Sequence, residues 1–375
     1  MDINESFSKF CTGYSRRRGI MEITTPASFP WLELIDRPAF CVKDSAVVAV
    51  NSAAENRMLT IGMNVREIVT EHLDVYENFE NGSLYLKITA GGLPCHASIT
   101  RTKECDIFLI HQTDDDNLQA LALAAQQLRI PLSNVMLVTD KLFAELDNAD
   151  IQQQAKQINH NLFQLLRIVS NMSDADSYKN SRSFGMETID FAALIAEIME
   201  KAQSISQDVG ISLSYAAPNG PILGMANAEK IERAVYNLLS NALKFSPAGS
   251  TIEAKLIKSG NRASFIISNQ NLAPVDDNSF WSRYRREPSI EDNRFGLGLG
   301  MTLISSIASA HGGTVLVDHP TPLETRVTMT VAIVKNDLGT VSSPVFRIGD
   351  YAGGRDKGLL ELSEILPSDS YKKIN

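Results

Sequence analysis

Two stretches of this chain repeat an apolar residue at every third and fourth position, and that spacing fixes most of what they can become. In the first, Leu118, Leu121, Ala125, Leu128, Leu132, Val135, Thr139, Leu142 and Leu146 step by three and four. In the second, Ile151, Ala155, Ile158, Leu162, Leu165, Val169 and Met172 do the same. Each set lies along one side of a helix as a heptad seam. The polar DNAD at 147–150 joins them, so residues 114–175 are expected to form an antiparallel helical hairpin. A lone hairpin leaves a long apolar stripe uncovered, and two copies cover it by forming a four-helix bundle. The periodicity therefore predicts a symmetric homodimer.

What surrounds the hairpin has a different texture. Residues 1–28 are a polar N-terminal segment. Over 29–113, PAFCVKD, AVVAVNSAA, SLYLKITA and HASITRTKECDIFLIHQ are β-rich and broken by Gly-Gly, Asn-Gly and Lys-Asp turns. AAENRMLTIGMNVREIV among them has the pattern of short helices, so a small antiparallel sheet with helices on one side is expected there. After a polar linker, residues 186–336 alternate amphipathic helices (FAALIAEIMEKAQSIS, EKIERAVYNLLSNALKF) with strands (ISLSYA, TIEAKLIKSG, RASFIISN, GTVLVDH, TRVTMTVAIV). That mixture is an α+β layer. Residues 337–375 form a C-terminal tail in which GLLELSEILP makes one short helix.

The 375 residues are 44% hydrophobic and 21% charged, with a net charge of −9. Such a balance argues against nucleic-acid binding, which needs a basic surface. No apolar run approaches the roughly 18–20 residues that cross a bilayer. MDINESFSKF has no signal-peptide core, so a cytoplasmic protein is expected. The four cysteines (Cys11, Cys41, Cys95, Cys105) lack C-x-x-C spacing and are expected to be scattered reduced thiols.

Chemistry concentrates in two stretches. In YNLLSNALKFSP, the spacing of Asn237, Asn241 and Lys244 puts three polar groups on one helix face. Amide oxygens suit Mg²⁺, and a lysine one turn on can reach phosphate; a merely solvated face is the alternative. In RFGLGLGMTLISSIASAHGG, Gly296, Gly298 and Gly300 precede an apolar helix. Glycines there let backbone N–H groups approach an anion at a helix N-terminus.

Together these stretches resemble the N box and G2 box of sensor histidine kinases and the wider GHKL ATPase superfamily. Phe280, Trp281 and Tyr284 resemble the aromatic F box of its ATP lid, at roughly 273–295. The heptad helices carrying LRIPL at 128–132 resemble the dimerisation and histidine-phosphotransfer (DHp) hairpin, and the β-rich module resembles a PAS domain. The resemblance implies an α+β multidomain fold: a PAS-like sensor module, a dimeric four-helix bundle and a GHKL/Bergerat-type α/β sandwich. It implies ATP and Mg²⁺ as ligands, with Asn241 on the metal, Asn237 helping, Lys244 on a phosphate, and Gly296, Gly298 and Gly300 around the triphosphate. A response regulator is the implied partner.

Two departures stand against that pattern. Gln126 occupies the position of the phosphoacceptor histidine, and Gln127 that of its acidic neighbour. An amide is a very poor nucleophile. The aspartate that would bind adenine is Asn269, in Asn269-Gln270-Asn271-Leu272-Ala273. A neutral acceptor is weaker than a charged one by about 1–2 kcal/mol, or roughly ten-fold in affinity. The expected function is a regulatory pseudokinase acting on a partner kinase or response regulator. The alternatives are a kinase acting in trans and a nucleotide-free dimeric scaffold. His160 and His111 are the candidates for a surrogate acceptor, against the simpler reading of packed histidines.

Overall fold

A computed structural model describes residues 29–35, 37–111, 115–144, 149–177, 185–274, 299–333 and 355–371. The chain divides into two compact units, one of residues 1–83 and 87–112, the other of 84–86 and 113–375.

In the first unit, β1 (Ala39–Lys43), β2 (Ala46–Val50), β3 (Ser83–Ala90), β4 (Leu93–Arg101) and β5 (Asp106–His111) are ordered β2-β1-β5-β4-β3. Three short helices lie between β2 and β3: α1 (Ser52–Glu55), α2 (Val65–Ile68) and α3 (Leu73–Asn78). The long alternating stretch 96–112 resolves into two antiparallel strands, with His96 opposite His111 and Arg101 opposite Asp106. The break falls where the Thr102 hydroxyl donates to the Cys105 carbonyl at 2.6 Å and accepts from the Cys105 amide. Short-range bonds of this kind compete with the strand ladder and turn the chain. Phe40 and Phe108 stack at 4.6 Å in the core. The buried Asn51 side chain accepts from the Ala39 and Ala54 amides and donates to the Ile35 and Arg37 carbonyls. That one amide therefore both caps α1 and closes the segment leading into β1.

The second unit begins with the hairpin: α4 (Asp115–Ala144) and α5 (Ala149–Ser177). Pro131 sits inside α4. The described seam residues differ in exposure, with Leu132, Ile151 and Met172 half-buried. Ala125, Thr139, Ala155, Leu162 and Val169 are buried, whereas Leu128 (53%), Val135 (52%), Ile158 (42%) and Leu165 (50%) are exposed.

Beyond the hairpin lies a mixed sheet of order β11-β12-β10-β9-β7, made of β7 (Ser212–Ala216), β9 (Thr251–Ser259), β10 (Arg262–Gln270), β11 (Val315–Asp318) and β12 (Glu324–Ala332). β7 runs parallel to β9, and the β9–β10, β10–β12 and β11–β12 pairs are antiparallel. Alternate residues of β9 and β10 (Ile252, Ala254, Leu256; Ala263, Phe265, Ile267) are buried. They meet α6 (Phe191–Ser206), α7 (Ala228–Phe245) and α8 (Leu299–Ala310) in one apolar core. A separate two-stranded sheet pairs β6 (Glu187–Asp190) with β8 (Leu223–Ala226). Both strands have four residues, too few for alternation to show in sequence.

Residues 355–371 of the C-terminal tail also join this core. They carry α9 (Lys357–Glu361), and Leu360, Leu362, Leu366 and Tyr371 are buried among its members. The short helix expected in GLLELSEILP is thus there, with its apolar side packed into the α/β layer.

Candidate nucleotide site

The site grows from the start of α7. Asn227 caps this helix, its side-chain oxygen accepting from the Lys230 amide at 3.0 Å. The Asn227 amide itself donates to Nε2 of His311 at 3.0 Å. Nε2 is therefore an acceptor, and the proton sits on Nδ1, which donates to the Ile307 carbonyl at 2.7 Å. Burial lowers the His311 pKa and keeps this neutral tautomer. In this way Ala-His-Gly-Gly ties the end of α8 to the beginning of α7. Gly312 takes a left-handed φ of 66°. Gly313 leaves no room for a side chain, because a Cβ there would overlap the Thr330 carbonyl.

Asn237 lies halfway along α7 and is only 3% exposed. Its Nδ2 donates to the Arg233 carbonyl at 2.9 Å, which fixes the amide and leaves Oδ1 turned to α8. A Cβ built on Gly300 would lie 3.7 Å from Asn237 Oδ1 and 4.0 Å from Asn241 Oδ1. Asn241 Nδ2 is 3.8 Å from the Met301 sulfur. Two side-chain amides thus reach the first turn of α8, Asn237 through its oxygen and Asn241 with Nδ2 at 3.9 Å and Oδ1 at 4.0 Å from the same point, where helix N–H groups have no intrahelical acceptor. Side-chain amides beside a positive helix end can offer oxygens to a hard divalent cation together with the anion it accompanies. The polar face of α7 is largely covered: Arg233, Asn237 and Ser240 are buried, and Asn241 and Lys244 are partly exposed.

Lys244 falls on the same face, but its ammonium is 3.2 Å from Glu364 of the C-terminal segment. Asn269, at the end of β10, is buried, and its Nδ2 donates to the Gln270 carbonyl at 3.0 Å. Asn271 accepts from the Thr325 hydroxyl at 3.0 Å. Gly296, Gly298, Phe280, Trp281 and Tyr284 lie outside the described residues, as does the side chain of Gln126; α4 is continuous through that position. The neighbouring Gln127 and Leu128 are exposed.

His160 is packed rather than presented. Its Nε2 is 2.9 Å from the Ser363 carbonyl, and its ring stacks on Tyr371 at 5.1 Å. His111 belongs to β5, in the other unit. Sequence reasoning placed the asparagine face but missed the acidic groups that meet it, Glu361 and Glu364. Their only sequence signal was an acidic, apolar-periodic helix, with nothing to indicate its partners.

Residues 226–335 match the family of histidine kinase-, DNA gyrase B- and HSP90-like ATPases. Over 244 residues the chain is 28% identical to hybrid signal transduction histidine kinase D of Dictyostelium discoideum, covering 60% of this chain and 15% of that protein. It is 30% identical over 196 residues to the probable sensor protein PcoS of Escherichia coli, covering 50% of this chain and 41% of PcoS. With sensor histidine kinase CusS of Escherichia coli K12 it shares 26% over 201 residues, 52% of this chain and 41% of CusS. The chain thus spans less than half the length of these relatives. The α/β layer built around Asn237, Asn241 and Gly300 is a GHKL-type ATPase fold, and the chain that carries it resembles a two-component sensor histidine kinase.

Proposed function

We propose that this chain is a cytoplasmic, homodimeric signalling protein that binds Mg·ATP and acts on a partner histidine kinase or response regulator without phosphorylating itself. Its parts are a PAS-like sensor module (29–113), a DHp-like hairpin (114–175) and the ATPase domain (186–336), flanked by the segments 1–28 and 337–375. The observation that carries the reading is a contrast. The side-chain amides of Asn237 and Asn241 meet at the first turn of α8, while the position expected to accept phosphate holds Gln126.

In this reading Asn241, with Asn237, takes Mg²⁺, which neutralises phosphate charge when bound. The Asn237–Arg233 bond holds one donor in place before the ligand arrives. Gly296, Gly298 and Gly300 offer backbone N–H groups to the phosphates, Lys244 contributes a cation, and Asn269 accepts from adenine. The Nδ2 bond of Asn269 to the Gln270 carbonyl leaves its Oδ1 for that role. The sheet order of the first unit, with its helices between β2 and β3, supports a sensor module. The exposed heptad residues of the hairpin support the dimer. Among the described residues no helix is long and apolar enough to cross a membrane.

The test is a titration of the purified protein with Mg·ATP beside Asn241→Ala, with an assay for acid-labile phosphoprotein. Saturable binding that weakens at least ten-fold in the variant, without phosphoprotein, is the expected result. Binding that is absent, or indifferent to Asn241, returns the chain to a nucleotide-free scaffold. Phosphate transfer to the histidine of another kinase would instead make it an enzyme in trans.

A further inference from the structure

The C-terminal segment 355–371 touches the nucleotide site through charge. The Glu361 side chain is fully buried, with one oxygen 3.3 Å from Nε of Arg233 and the other 3.6 Å from Nε of Arg167. Arg233 belongs to α7 and Arg167 to α5, so a single carboxylate neutralises guanidinium groups from the ATPase layer and from the hairpin. Three residues on, one oxygen of Glu364 lies 3.2 Å from Arg167 and 3.2 Å from Lys244. Arg167 also donates to the Ser240 hydroxyl on α7 at 3.1 Å. A buried carboxylate holds its place only while both its cations are there, so Glu361 is an anchor. Glu364, one-third exposed, is the part that can yield.

Lys244 stands one turn beyond Asn241 on α7, and its side chain is only 11% exposed. The ammonium group has three donors, but a carboxylate already on it repels a phosphate brought to the same charge, so each anion weakens the other's hold. A phosphate drawn to the Asn237–Asn241 face therefore competes with Glu364 for the same charge.

We propose that residues 355–371 are an autoinhibitory strap, in which Glu361 fastens the segment between α5 and α7 and Glu364 occupies the lysine that a nucleotide phosphate would engage. The proposal rests on the Mg·ATP reading of the site. Coupling of this kind is reciprocal: the strap weakens nucleotide binding, and nucleotide loosens the strap by the same factor.

The experiment measures Mg·ATP affinity by calorimetry on the full chain, in the wild type, Glu364→Gln, Lys244→Met and the double variant, with Asn241→Ala as the site control. Glu364→Gln keeps the shape and removes the charge at a partly exposed position, which limits harm to the fold. It is expected to tighten binding by roughly three- to ten-fold, and to have no effect where Lys244 is already Met. Hydrogen exchange of Gly358–Leu366 is expected to speed up when Mg·ATP is added to the wild type. If Asn241→Ala weakens binding but Glu364→Gln leaves it unchanged or weaker, the strap is overturned and the site stands. If none of the proteins binds Mg·ATP, the site fails and the strap falls with it.

Discussion

Gly313 shows how much a single position can demand. Its backbone runs so close to Thr330 that a methyl group would overlap the carbonyl, and only backbone movement could relieve it. Gly313→Ala should therefore cost about 3 kcal/mol or more, seen as a lower denaturation midpoint in urea. Gly312→Ala, strained by its φ of 66° and by a Cβ 3.1 Å from that of Ala332, should cost less, about 1–2 kcal/mol. In sequence, Ala-His-Gly-Gly is only the join between the apolar helix and the strand GTVLVDH. The reason for both glycines and for the buried histidine is tertiary: the turn must pass β12 and brace the cap of α7. His96 and His111 raise a different question. They face one another across β4 and β5. Burial, aided by the charge of Arg37 and of His96 itself, pulls His111 down to about 4, and burial with Lys87 lowers His96. The unfolded chain takes up these protons near the ordinary value of about 6.5, and folded His111 takes its own only near 4. Stability of this unit should accordingly be unaffected above about pH 7, fall as pH drops from about 6.5 to 4, and level off below. A set of thermal melts across that range checks it, and His111→Gln should flatten the slope.

At the scale of elements, the hairpin was the most legible part of the chain. Heptad spacing read from sequence gives two helices, and α4 and α5 have the lengths it implies. Which seam residues face the partner helix and which face outward was not legible, because both sets obey the same period. The structure divides them, and Leu128 and Leu165 are about half exposed. Placing a charge at both positions (Leu128→Glu with Leu165→Glu) should turn the proposed dimer into a monomer with its helix content intact, by sedimentation velocity and circular dichroism. A pair of variants that stays dimeric would move the interface elsewhere. The long strands β9, β10 and β12 could likewise be read from alternation, since one face is buried and the other is not. β6 and β8 escaped notice at four residues each. The break between β4 and β5 was hidden inside a stretch whose alternation continues through the turn.

At the scale of the whole molecule, the second unit is held together by residues that are far apart in sequence. Arg167, Arg233 and Glu361 are unremarkable charges when read in order, and their chemistry exists only after α5, α7 and α9 have met. The candidate site divides along the same line. Its asparagines could be read from local spacing, because one helix, α7, carries them. The acidic residues that meet Lys244 could not, because nothing near residue 364 announces residue 244.

The buried carboxylate also sets an order of events during synthesis. Chains emerge from the amino end and fold as they emerge, so Arg167 and Arg233 are made well before Glu361. Until that residue arrives, the two guanidinium groups have no carboxylate between them, and drawing them out of water is costly. The hairpin can form and the sheet can assemble, but the seam between α5 and α7 must stay wet. It closes only when Lys357–Glu361 is threaded into place, so the arrival of α9, rather than collapse of the apolar core, is the step that seals the contact between α5 and α7.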